Sequence, residues 1–387
     1  MTIVFDLVAT QPLGNNVHGG GEYGKAVFLS MLANMPNSSI TAFYYKNRPI
    51  DQSLLDRARD HGVELLEISQ QSDIQKIISP RKNCTFYSAM PYSYHNLDFS
   101  GMKVVFTIHG LRPIEIASDW YEYKYARGLS DWVKWVAKSA FQNQYVKWRT
   151  IQFGRLLNRP ARQLHIVVPS EHTKYSLLTT FPDLDADKIV VLYSPETSVG
   201  TEARAEPSTL SKYGLSEREF ILLVSGNRWV KNSYRALVAL DQLMTKTDLC
   251  KQVLVVGGAP ASIPKKWQPK FSFLPYLSQR ELVALYESAF CLLYPTLNEG
   301  FGYPPLEAMR HGTPVVCSAI TSTTEILGDA PMYFSPYSTS EIQNRILSLL
   351  RDDQLWQNKS SQSSARYKLV STQQRKMLIK LCEIIAT

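Results

Sequence analysis

Cysteine is scarce in this chain. Its five cysteines, Cys84, Cys250, Cys291, Cys317 and Cys382, are scattered, with no short C-x-x-C spacing. They argue for neither a disulfide framework nor a structural zinc site, and they suit a reducing cytosol. Histidine supplies no metal set, because His18, His165, His172 and His311 show no ligand spacing with one another. Long apolar runs are lacking too. No stretch approaches the roughly eighteen consecutive apolar residues of a transmembrane helix. The opening MTIVFDLVAT has no positive n-region and no small-residue cleavage site, so it reads as a first strand rather than a signal peptide. No repeat points to a solenoid.

What the chain does hold is 387 residues, 44% of them hydrophobic and 20% charged, enough for two domains of ordinary size. The formal charge of +8 is spread unevenly. Residues 119–162 carry nine Lys/Arg against three Asp/Glu, a net of +6, together with Trp120, Trp132, Trp135 and Trp148. A basic, aromatic stretch calls for an anionic partner, and a membrane surface, a lipid phosphate and a nucleic acid are the candidates. No nucleic-acid recognition motif accompanies it, which disfavours the last.

Short β-rich runs alternate with helical patterns along the whole chain. Strands are expected at 3–7, 40–45, 63–68, 84–87, 104–108 and 166–168, then at 221–224, 253–256, 271–274, 291–294 and 315–317. Helices fit at 22–34, 51–60, 232–246, 279–289, 304–311 and 340–351. Strands of this length separated by helices form parallel sheets, so the expected class is α/β with two doubly wound domains. The polar stretch 193–215 breaks periodicity and marks the linker. Residues 365–387 read as an amphipathic C-terminal helix.

Parallel sheets gather ligands at the carboxyl ends of their strands. Gly19, Gly20 and Gly21 lie between the first strand and its helix, where they serve a tight turn or a phosphate or sugar contact. His109 ends the VVFTI strand, as a buried structural histidine or as a donor to a sugar hydroxyl. Arg228 and Lys231 open the second domain in SGNRWVKNSYRAL. They are suited to neutralising a departing diphosphate or to remaining solvated, and a solvated role suits Arg235 equally. Trp229 is large enough to pack between domains. The stretch LLYPTLNEGFGYPPLEAM sets Glu299 on a loop and Glu307 in the first turn of a helix begun by Pro304 and Pro305. The amides of Gly300, Phe301 and Gly302 suit a phosphate, Glu307 a ribose and Glu299 a sugar. A plain acidic first turn complementing the helix dipole accounts for Glu307 alone.

NEGFGYPPLEAM resembles the E-x7-E signature of retaining, GT-B fold glycosyltransferases of the large family 4. HGGGEYG, FTIHG, VVPSEHTKYSL and FLPYLSQRELVALYESAFCLLYPTLNEGFG resemble successive segments of the same family. The likeness is weak over 40–90 and 115–160, and specific over 271–336. It implies a GT-B fold, two Rossmann-like domains facing across a cleft. The acceptor domain would span 1–195 and the nucleotide-sugar domain 196–364, with the helix 365–387 crossing back to the first. It also implies roles. Arg228 and Lys231 would clamp the diphosphate, Glu307 the ribose and Glu299 the donor sugar, with His109 approaching the transferred sugar and Gly20 and Gly21 lining the site. SGNRWVKN is one residue shorter than the usual family pattern, which offsets Arg228, while Lys231-Asn232 matches. Glu22 stands where the family has an apolar residue.

The function expected from this resemblance is retaining transfer of a sugar, with GDP-mannose preferred as donor. The acceptor is a glycan or a polyprenyl-diphosphate-linked glycan of a surface polysaccharide or lipopolysaccharide. No metal and no cofactor beyond the donor are expected. The location expected is cytoplasmic, peripheral on the inner face of the cell membrane. The alternatives are another GT-B nucleotide-sugar enzyme and a noncatalytic glycan-binding protein.

Overall fold

Seven short apolar segments of the first half and its return become parallel strands. They are β1 (Thr2–Asp6), β2 (Ser39–Tyr45), β3 (Glu64–Ile68), β4 (Thr85–Ser88), β5 (Phe99–Thr107), β6 (Ala161–Val168) and β7 (Ile189–Val191). The second half contributes β8 (Phe220–Val224), β9 (Gln252–Val256), β10 (Phe271–Leu274), β11 (Cys291–Tyr294), β12 (Val315–Ser318) and β13 (Met332–Phe334). The computed structural model describes residues 2–12, 19–196, 204–247 and 251–387. His18, Cys250 and the middle of the expected linker lie outside the described residues.

The helices in chain order begin with α1 (Gly19–Asn34), α2 (Gln52–Asp60), α3 (Ser72–Ile78) and α4 (Arg112–Glu115). Then come α5 (Leu129–Ala140), α6 (Gln142–Leu157), α7 (Glu171–Thr180) and α8 (Thr209–Lys212). The rest are α9 (Ser233–Lys246), α10 (Gln279–Ser288), α11 (Tyr303–Arg310), α12 (Thr323–Leu327), α13 (Thr339–Arg351) and α14 (Asp353–Ala386). Several starts are chemically marked. Ser278 and Glu281 form a reciprocal capping box on α10, and Asp51, Ser170 and Ser338 cap α2, α7 and α13. Each such cap contributes about 1 kcal/mol.

The first unit comprises Met1–Leu111, Lys147–Ser198 and Ser371–Thr387. Its sheet has the order β3-β2-β1-β4-β5-β6-β7, and every neighbouring pair is parallel. Ile3, Phe5, Val27, Phe28 and Met31 form the centre of its core. Leu381, Cys382 and Ile385 from the end of α14 are buried in that same core. Gln374 fastens the segment by donating to the Ser194 carbonyl at 2.6 Å, and Lys103 donates to the Ile384 carbonyl at 2.5 Å.

The second unit comprises Arg112–Val146 and Val199–Val370. Its sheet has the order β10-β9-β8-β11-β12-β13, again all parallel. Every residue of β8 and β11 is buried, which explains why FILLV and CLLY are continuously apolar rather than alternating. α14 is one helix of 34 residues, and its start serves this unit. Trp356 packs on the core around Phe290 and donates its indole N–H to the Phe290 carbonyl at 2.8 Å.

Residues 112–146, expected in the first domain, belong to the second unit. The cause is a set of contacts too distant in sequence to read from it. Asp119 pairs with Arg235 at 2.8 Å, and the Tyr125 hydroxyl accepts the Tyr234 amide at 2.8 Å. Tyr121 and Tyr234 pack ring on ring, with centroids 5.1 Å apart. Arg235 is therefore only 7% exposed and not solvated. Trp229 packs with Ile116, Val230 and Leu297 of the same unit.

Candidate active site

Strand order reverses direction between β8 and β11 in the second unit. In a doubly wound sheet the loops after such a pair diverge and leave a crevice, the usual ligand position. The two loops concerned here run from Ser225 to Asn232 and from Pro295 to Gly302. They are tied together by the Leu297 amide, which donates to the Val230 carbonyl at 2.8 Å. Asn232, in the left-handed region at φ 57°, donates to the Pro295 and Pro336 carbonyls. Gly226 is required for close approach. A Cβ there would sit 2.2 Å from Val255 Cγ1 and 2.4 Å from the Gly258 carbonyl oxygen.

At the centre lies an ion pair. Lys231, 7% exposed, donates from Nζ to Glu299 Oε1 at 2.6 Å and to the Tyr294 hydroxyl at 2.6 Å. Tyr294 and Thr296 donate to the same carboxylate oxygen at 2.8 and 2.7 Å. Glu299 is 8% exposed. Burial alone raises the pKa of Glu299. The Lys231 and Arg112 charges and the hydrogen bonds from Lys231 and Thr296 outweigh that and hold it at about 2. Lys231 is lowered from the ordinary lysine value by burial, against the pull of Glu299, with the Arg228 and Arg112 charges adding to the lowering. The ionised carboxylate at 2.6 Å keeps the ammonium form, and we read the two as a charged pair.

Glu299 lies on the loop after β11, as expected. Its side chain is built into the wall, and so is Lys231. Only Arg228 of the two expected cations is exposed, at the start of the 3-10 turn Trp229–Lys231.

Glu307 is the fifth residue of α11, in its second turn and not its first. The helix begins at Tyr303 because Gly302, at φ 99°, caps it, and both prolines fall inside the first turn. Glu307 accepts from the Tyr286 hydroxyl at 3.0 Å. Among the described residues, no atom beyond Gly302 and its chain neighbours lies within 4 Å of where a Gly302 Cβ would be, so the space above this cap is open. The Phe301 side chain is buried, which leaves only its backbone to the site.

In the first unit, Gly19, Gly20 and Gly21 form the first turn of α1 and not a loop before it. A Cβ on Gly20 would meet Met90 Sδ at 2.5 Å. Glu22 lies in the same turn. His109 follows β5, with its amide donating to the Tyr92 hydroxyl at 2.8 Å and Nε2 lying 2.9 Å from the Ala89 carbonyl. A carbonyl only accepts, so Nε2 carries the proton. The Tyr23 ring stands edge-on to the imidazole at 4.8 Å.

Lys231 and Glu299 are thus brought into direct contact, while Glu307 bonds elsewhere in the same unit. Tyr294 and Thr296 escaped the sequence reading, and Asn232 entered it only as part of the Lys231-Asn232 match. Their signal was position: two end the apolar CLLYPT run, and one precedes a helix directly after a basic turn. Among the described residues no group of three or more His, Cys, Asp and Glu could hold a metal ion.

The whole chain superposes on sucrose-phosphate synthase from Thermosynechococcus elongatus, covering 99% of this chain and 98% of that one, with a TM-score of 0.67 at 13% identity. The fold is GT-B. Within this GT-B chain, residues 208–366 match the model of the family described as glycosyl transferases group 1. O-antigen chain mannosyltransferase B of Escherichia coli is 28% identical over 236 residues, 53% of this chain. O-antigen chain mannosyltransferase RfbU of Salmonella typhimurium is 28% identical over 189 residues, 47% of this chain. The aligned stretches span 60% and 50% of those two proteins' own lengths.

Proposed function

We propose that this protein is a retaining glycosyltransferase that moves mannose from GDP-mannose to a glycan or lipid-linked glycan acceptor in surface polysaccharide synthesis. The observation that carries this reading is the buried Lys231–Glu299 pair at the switch point of the second sheet, beside the open cap at Gly302. The O-antigen mannosyltransferases named above support the choice of sugar and acceptor.

In this reading the donor's diphosphate meets Arg228, Lys231 and the amides of residues 300–302. Glu307 accepts from the ribose hydroxyls and Glu299 from the sugar. The anomeric carbon's bond to the phosphate oxygen breaks, and its bond to the acceptor oxygen forms on the same face. The acceptor proton passes to the departing phosphate. Charge grows on that leaving group, which is where preorganised cations and amides act. His109, Gly20 and Gly21 are the contribution of the first unit, His109 toward the transferred sugar. No metal is required.

A membrane role rests on α5. Leu129, Trp132 and Val133 are exposed on it, Leu129 at 78%, no residue of this helix is buried, and Trp120 nearby is 73% exposed. Lys134, exposed on the same helix, would accompany such a face to an anionic surface, whereas Lys138 is held by Glu122 at 2.9 Å. No helix among the described residues is long and apolar enough to cross a membrane.

The test is turnover of a panel of nucleotide sugars with a polyprenyl-diphosphate-linked glycan, with the product anomer read by NMR. Transfer from GDP-mannose with retained configuration is expected. Glu307→Ala and His109→Ala should each reduce it. Binding of glycans with no binding or turnover of any nucleotide sugar would overturn the enzyme reading.

A further inference from the structure

Arg112 stands where the chain leaves the first unit and enters the second. The short helix α4 that it begins is fastened to both loops of the candidate site. Glu115 accepts from Asn298 Nδ2 at 2.7 Å, and Asn298 immediately precedes Glu299. Ile116 is buried against Val230 and Leu297, and Val230 immediately precedes Lys231. These contacts fix the end of α4, three and four residues after Arg112, against the loops that carry the ion pair, and all of them lie within the second unit.

The guanidinium placed there is not fully used. Arg112 Nε is buried and meets no hydrogen-bond partner among the described residues. A buried N–H without an acceptor is costly, and a native protein leaves one mainly where something else supplies the acceptor. The Arg112 charge acts on both members of the pair, favouring ionised Glu299 and disfavouring protonated Lys231. Lys231 is already neutralised by Glu299, which leaves the site short of cationic charge for a doubly negative ligand.

We infer that Arg112 is a phosphate-binding residue of the donor site, presenting its guanidinium to the diphosphate of a nucleoside diphosphate sugar. This deepens the function proposed above and rests on it. Arginine suits the task because its planar fork binds phosphate oxygens bidentately, which lysine cannot do. The role is invisible in local sequence, since Arg112 lies three residues after His109 and far from the other donor residues in the chain. Its anchoring through Glu115 and Ile116 is what carries it to them.

The experiment compares the full-length protein with Arg112→Met and Arg112→Lys. GDP and UDP binding is measured by calorimetry, and guanosine and uridine binding by ligand-observed NMR. The wild type should bind one diphosphate more tightly than its nucleoside. Arg112→Met should lose about 10- to 100-fold in affinity for that diphosphate, the usual size of a lost charged hydrogen bond, with the nucleoside unchanged. Arg112→Lys should fall between the two. An equal loss for diphosphate and nucleoside means a packing role and overturns the inference. Unchanged diphosphate affinity in Arg112→Met overturns it as well and leaves the donor-site reading standing. A wild type that binds neither GDP nor UDP overturns both.

Discussion

Replacing Lys231 by methionine keeps most of the side chain's bulk and removes the ammonium that lies 2.6 Å from Glu299. With the cation present, Glu299 titrates at about 2 against an ordinary 4.5. That displacement corresponds to roughly 3 kcal/mol of stability, fully present above about pH 4.5 and lost as pH falls toward 2. Lys231 stays protonated throughout this window, so only the carboxylate contributes to the slope. In Lys231→Met the burial that raises the carboxyl's pKa keeps acting while its largest opponent is gone. The unfolded state then releases its proton before the folded state does. Stability should accordingly fall as pH rises above about 4.5, the reverse of the wild type.

At neutral pH the variant should be destabilised by about 3–5 kcal/mol, the usual cost of stranding one member of a buried pair. For a unit of this size that is on the order of 6–20 °C in Tm. Lys231→Met/Glu299→Gln should recover most of this loss and lose its pH slope between 3 and 7, because no buried charge remains unpaired. The assay is scanning calorimetry of wild type, both single variants and the double variant at pH 3, 5 and 7. Two results refute the reasoning: a wild-type slope in Lys231→Met, or single costs that simply add in the double variant.

Three further outcomes are expected. Asp6 is buried, and burial raises its pKa from 3.8 to about 6 despite hydrogen bonds from Ser88, Tyr94 and the Val8 amide. Its ionisation therefore costs stability as pH rises from about 4 to 6, and Asp6→Asn should flatten that part of the curve, read by urea denaturation at several pH values. Gly226→Ala should destabilise the second unit by about 1–3 kcal/mol or more and lower its Tm, since the added Cβ meets Val255 and the Gly258 carbonyl. Trp132→Ser with Val133→Ser should change Tm little, because both side chains are exposed. The same change should reduce cosedimentation with vesicles containing anionic phospholipid, and unchanged cosedimentation would remove α5 from the membrane reading.

Strands were the most legible part of the sequence. FILLV, VLVV and CLLY are continuously apolar because both faces of a parallel sheet are covered, and each is a strand as expected. Short pieces such as Ile189–Val191 and Met332–Phe334 were too brief to stand out. At the site, residue types were readable and their partners were not. Glu299 and Lys231 each stood out singly, yet their pairing spans 68 residues and depends on how two loops leave the sheet. Arg235 looked like a solvated helical cation because its partner Asp119 lies 116 residues away. Glu307 was placed one turn too early because prolines tolerate several positions in a first turn, and Gly302 chose among them.

The helix α14 has a consequence for the order in which this protein is made. The residues that complete the core of the first unit, Leu381, Cys382 and Ile385, leave the ribosome after the whole of the second unit. Domains usually fold in the order of synthesis. Here the earlier sheet must wait with an apolar face uncovered while the later one assembles. A chain ending before Ser371 would carry an intact second unit attached to a first unit with its hydrophobic interior open. Nascent-chain truncations should therefore recruit chaperones through their oldest part rather than their newest.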